Sequence, residues 1–135
     1  MDKGILTEAQ GKDPELIKKM VEKIVERKGF DQIKANADGF DTPAPIRKKD
    51  KEGNVEYTYI PDVTGTINGR KSYFELGMKT EGNDDTQKLV SKWRLLSDFA
   101  AIKNGKLYLA VPRGHMAFTN RILADYPIKA EVVKI

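Results

Sequence analysis

The chain contains no cysteine, which removes disulfides, zinc–thiolate centres and thiol nucleophiles from consideration. It has a single histidine, His115, without the partners that a metal cluster or a catalytic triad needs, so His115 reads as an exposed or capping residue. No apolar run approaches the roughly 18 residues that span a bilayer, so no membrane is expected among its partners. The N-terminus has no basic segment followed by an apolar core; no secretory leader is expected, and a cytoplasmic location follows as an expectation. Internal repeats and low-complexity segments are lacking too. What is present is a 135-residue chain, the length of one domain with one hydrophobic core. Its net charge of +4, from 24 basic and 20 acidic residues, suits a polyanionic partner without requiring one.

Residues 1–12 carry little pattern and are expected to form an N-terminal arm, leaving 13–135 as the single domain. Asp13-Pro14-Glu15 combines an N-cap, a proline at the first helical position and an acid in the first turn. Leu16, Ile17, Met20, Val21, Ile24 and Val25 then recur at helical spacing, and Gly29 stands where a helix stops. A strand is expected from Phe30 to about Ala37. Glu52-Gly53-Asn54 reads as a turn between strands at Ile46–Lys51 and Val55–Ile60. Asp62–Ile67 and Arg70–Lys79 flank Asn68-Gly69. Asn83-Asp84-Asp85 can cap a second helix running to about Ile102, with Leu89, Trp93, Leu96 and Ala100 on its apolar side; Trp93 is read as core. A strand at Lys106–Pro112, a helix from Gly114 to Tyr126 and a strand at Ala130–Ile135 complete the chain. Antiparallel strands first and crossover units later predict an α/β fold with a mixed sheet and helices on both faces.

The informative step is the Asn68-Gly69 turn. Asn-Gly favours a two-residue type I′ loop, because both central residues take positive φ. With those two residues as the loop, Asp62 faces Glu75, Thr64 faces Tyr73, and Thr66 faces Lys71. Val63 and Phe74 pair on the opposite face, which reads as the core-facing one. Directly opposed side chains stand with Cβ atoms about 4.5–5.5 Å apart. Two carboxylates that close repel each other unless a cation lies between them. A hard divalent ion such as Mg²⁺ prefers oxygen ligands and often takes one or two protein carboxylates. Lys79 shares the face of Glu75 by alternation, roughly 13 Å further along at about 3.3 Å per residue. The competing reading makes Asp62 and Glu75 an exposed strand pair.

Pro61-Asp62 at a strand start, and Phe74-Glu75-Leu76-Gly77-Met78-Lys79-Thr80 on its neighbour, resemble the PD-(D/E)XK nuclease superfamily. Gln87, early in the second helix, matches a glutamine that several of its branches carry. The stretch from Gln87 to Val111 looks like the same region of archaeal Holliday-junction resolvases, and the resemblance spans residues 13–112 in order. It implies a restriction-endonuclease-like fold and a metal-dependent endonuclease that hydrolyses DNA phosphodiester bonds. Branched, nicked or foreign DNA is among the substrates it suggests, and a homodimer among its assemblies. Asp62 and Glu75 would hold Mg²⁺ or Mn²⁺, with the Leu76 carbonyl as a further ligand. Lys79 would orient the attacking water or stabilise negative charge, and Gln87 would position the lysine or a phosphate. Many members add a glutamate from the first helix, but here Glu22 and Glu26 project away from its apolar face.

The chain departs from the family at one place. The alignment that sets an acid opposite Asp62 puts Gly77 where the family carries lysine and leaves Lys79 two residues late. The alternative function is therefore a catalytically degenerate module of the same fold that binds nucleic acid or a protein partner. Arg47, Lys48, Lys49 and Lys51 read either as phosphate contacts or as a solvated strand edge that deters pairing. Arg113, ahead of the third helix, is a further candidate phosphate contact.

Overall fold

The Asn-Gly turn organises the centre of the molecule. In the computed structural model, which describes residues 13–135, Asn68 and Gly69 take φ of 51° and 75°. They join β4 (Val63–Ile67) to β5 (Arg70–Leu76) in the expected register, Val63 against Phe74 and Thr64 against Tyr73. β6 (Leu107–Val111) lies parallel to β5, and β7 (Glu131–Lys134) parallel to β6. On the other side of β4, β1 (Asp31–Ala35) pairs antiparallel with a bulge between Asp31 and Lys34. The result is a mixed five-stranded sheet in the order β1-β4-β5-β6-β7. The N-terminal arm expected at 1–12 lies outside the described residues.

β2 (Ile46–Lys49) and β3 (Val55–Tyr59) form the expected hairpin but a separate two-stranded sheet, not part of a continuous meander. Pro43, Pro45 and Pro61 bracket that hairpin and have no N–H to donate to a ladder.

Helix α1 (Pro14–Met20) starts as its sequence dictates, with the Asp13 carboxylate accepting from the Glu15 N–H at 2.9 Å. It passes into one π-helical turn, Val21–Val25, closed by a bond from the Glu26 N–H to the Val21 carbonyl. Ile17, Met20, Val21, Ile24 and Val25 all point inward against Val63, Phe74, Leu76, Tyr108 and Ala110. α2 (Asn83–Ile102) and α3 (Met116–Asp125) cover the other face, over Tyr73, Leu107, Leu109 and Val111. Both faces of the sheet are therefore core, not only the face of Val63 and Phe74.

Most elements end a residue or two inside the expected bounds, and two differences bear on the site. α2 begins after Gly82 with no side-chain cap, so Asn83, Asp84 and Asp85 stand inside the helix; Asp84 and Asp85 face its positive N-terminal end instead. β5 stops at Leu76, three residues before Lys79. Among the described residues no helix is long and apolar enough to cross a membrane.

Candidate functional site

Just beyond the last ladder pair of the hairpin, Asp62 and Glu75 grip each other's strand. The Asp62 N–H donates to Glu75 Oε2 at 2.6 Å, and the Leu76 N–H donates to Asp62 Oδ2 at 2.9 Å. Both carboxyl groups thus lie on the α2 side of the sheet, as the register requires. They are not an exposed strand pair: each residue is 0% accessible.

The cation beside them comes from α2. Lys92 Nζ lies 2.8 Å from Glu75 Oε1 and 3.2 Å from the carbonyl oxygen of Ile60, and Lys92 is 1% accessible. A buried lysine survives only when paired and hydrogen-bonded, and Lys92 has both kinds of partner. Sequence reasoning did not single it out. A signal existed: Lys92 stands three residues after Leu89 and four before Leu96, inside the apolar stripe of the helix.

Lys79 does not reach this cluster through the strand. Its side chain is exposed, and its backbone N–H donates to Nδ1 of His115 at 2.9 Å, so the chain has already left the sheet. His115 is half-buried and anchors that segment; it does not cap α3 with its side chain. The position the resemblance assigns to lysine is filled by packing. A Cβ on Gly77 would sit 2.9 Å from both Thr119 Oγ1 and Val111 Cγ2. The lysine that meets Glu75 comes from α2 and not from β5.

The other candidate residues spread outward. Gln87 is exposed, with its Nε2 donating to the Tyr126 hydroxyl at 3.0 Å. Arg47, Lys49 and Lys51 are exposed on the β2–β3 hairpin, whereas Lys48 is half-buried and lines a cavity of about 370 Å³ between that hairpin and α2. Arg113 is exposed beyond β6, beside a smaller cavity it shares with Lys134. Glu22 and Glu26 are exposed on the helix covering the opposite face and take no part. A larger cavity, about 810 Å³, lies away from the carboxyl groups, at the other end of the sheet among Arg70, Ser97, Lys106 and Glu131. Its size does not make it the chemical centre, because Asp62, Glu75 and Lys92 line no part of it.

Three charged side chains in one dry place carry a specific electrostatic consequence. Lys92 brings one positive charge to two carboxyl groups. Burial strengthens the attraction among them, because little solvent screens it. Among the described residues no cluster of three or more histidine, cysteine, aspartate or glutamate side chains could hold a metal ion. Carboxyl oxygens are the donors that Mg²⁺ and Mn²⁺ take, and here Glu75 Oε1 and Oε2 and Asp62 Oδ2 already meet Lys92 and the Asp62 and Leu76 N–H groups. No family model matches the chain, and no curated protein or solved structure does.

Proposed function

We propose that the chain is a divalent-metal-dependent nuclease of the restriction-endonuclease-like PD-(D/E)XK type, acting on DNA, with Asp62, Glu75 and Lys92 as its centre. The observation that supports it is the buried contact of two opposed carboxyl groups with a lysine, at the carboxyl end of β5. Ligand sites of α/β sheets favour that end of the strands. Asp62 and Glu75 would hold Mg²⁺ or Mn²⁺, which when bound polarises the scissile phosphate and acidifies a bound water. Lys92 supplies positive charge where a phosphate gains negative charge during attack. The reciprocal hydrogen bonds fix both carboxyl groups beforehand, so no strand rearrangement is needed to orient them.

The test is cleavage of plasmid and oligonucleotide DNA with Mg²⁺ and with Mn²⁺. Asp62→Asn and Glu75→Gln are expected to reduce the rate by roughly a hundredfold or more, in the range seen when a single charge-stabilising group is lost. Cleavage that survives both substitutions removes these carboxylates from catalysis.

Complete burial of all three side chains favours a second reading. In it the cluster is a structural clasp, and the chain binds nucleic acid or a protein partner without cutting. Binding to DNA with no cleavage in either metal selects this reading over the first.

A further inference from the structure

We infer that the groove between the β2–β3 hairpin and α2 is a nucleobase subsite that holds an unpaired nucleotide of a DNA strand, with Tyr57 as its stacking surface. The inference rests on the nucleic-acid reading above, but not on catalysis. The cross-strand pairs Ile46–Tyr59 and Lys48–Tyr57 put these four side chains on one face of the hairpin. Ile46 and Tyr59 are buried, with Ile46 packed into the α2 cluster and the Tyr59 hydroxyl donating to Ser91 Oγ at 3.4 Å. Lys48 and Tyr57 continue that face outward, half-buried, into the groove of about 370 Å³. That volume suits a small ligand.

The lining speaks for a base. The Tyr57 and Tyr59 rings are stacked, with centroids 5.9 Å apart and planes 23° apart, and Lys48 Nζ lies 5.9 Å from the Tyr57 ring centre. Aromatic rings beside a cation form the platform on which unpaired bases stack. Bases inside a duplex are already stacked and paired, so the platform selects single-stranded or frayed DNA. The charges balance: Lys48 and Lys88 are offset by Glu56 and Asp84. A free phosphate gains little from a neutral lining, whereas a neutral base with polar edges does. Carboxylates accept hydrogen bonds from the exocyclic amines of cytosine, adenine and guanine, and thymine has none. The groove neighbours the charged cluster along the chain: Tyr59 stands three residues before Asp62, and Ser91 immediately precedes Lys92.

The experiment is an anisotropy titration of the full chain with labelled ten-residue dC and dT oligonucleotides and a blunt duplex, in chelator so that nothing is cut. Expected are tighter binding of dC than of dT, weaker binding of the duplex, and a loss of roughly tenfold or more in Tyr57→Ala. Tyr57→Phe, which keeps the ring, retains affinity, and thermal melting checks that both variants fold. Tyr57→Ala binding dC as well as the parent overturns the inference, as does a duplex bound as tightly as dC or no binding of any strand. Absent cleavage with Tyr57-dependent binding intact defeats the nuclease reading alone.

Discussion

Strand β5 shows two different ways of being buried. Toward α1 it presents Phe74 and Leu76, and Phe74 stacks on Tyr108 with centroids 4.8 Å apart while meeting Phe30 edge-on at 5.0 Å. Toward α2 the same strand presents Tyr73 and Glu75, and Glu75 meets Lys92 in place of an apolar neighbour. Burial on the first face is non-directional and follows from area removed from water. Burial on the second depends on each charge finding its partner at the right distance and angle. An ion pair of this kind contributes little net stability compared with well-packed apolar residues of similar volume. The contrast teaches that the α2 face carries a desolvation cost that the α1 face avoids.

Four single substitutions, two of them also combined with a second change, can break or sharpen this contrast. Lys92→Met leaves two carboxyl groups buried beside an apolar side chain and is expected to cost about 4 kcal/mol in urea unfolding at neutral pH. Adding Glu75→Gln to Lys92→Met should restore much of it; a Lys92→Met loss under about 1 kcal/mol would mean the faces do not differ. Leu76→Ala, on the apolar face, is expected to cost about 3 kcal/mol through lost burial and a cavity, by the same amount with or without Mn²⁺. Metal-dependent stability in that variant alone would show that the faces are coupled. Gly77→Ala pushes a methyl group against Thr119 and Val111 and is expected to cost about 2 kcal/mol. Val111→Ala in the same chain should recover part of the loss, since the clash is shared. The smallest effect lies at the hairpin end of the sheet. The Lys71 ammonium is pushed below its usual range by burial first and by Lys34 and Lys103 second. Its charged form is thus disfavoured by folding: the penalty is full at neutral pH and fades as pH rises toward the ordinary value of 10.5. Lys71→Met should raise the neutral-pH melting temperature slightly, and the gain should vanish in alkaline buffer.

The features legible in the sequence were those set by neighbouring residues. The Asn68-Gly69 turn fixes its register through local backbone conformation, so the opposition of Asp62 and Glu75 follows from the order of residues alone. The Asp13 cap and the C-terminal end of α2 near Ile102 followed from equally local rules. The detachment of the β2–β3 hairpin was not legible, because β1 pairs with β4 across nearly thirty intervening residues, and no short pattern encodes that choice. Lys92 escaped for a related reason. Its partner Glu75 is on another element, and a lysine within an apolar stripe is ordinarily a solvated exception at the stripe's edge. Spacing along β5 pointed to Lys79, but the strand ends at Leu76 where Gly77 is wedged under α3, so alternation no longer governs position 79.

The reciprocal hydrogen bonds between Asp62 and Glu75 also give the molecule a built-in spectroscopic reporter. Each carboxyl group is held by a backbone amide proton, that of Leu76 for Asp62 and that of Asp62 for Glu75. Short charge-assisted bonds of this kind deshield the amide proton and slow its exchange with solvent. Two downfield, slowly exchanging resonances are therefore expected in the ¹⁵N-edited spectrum, the first lost in Asp62→Ala and the second in Glu75→Ala. In the parent chain, selective broadening of these two signals by substoichiometric Mn²⁺ would register the ion's arrival with no substrate present.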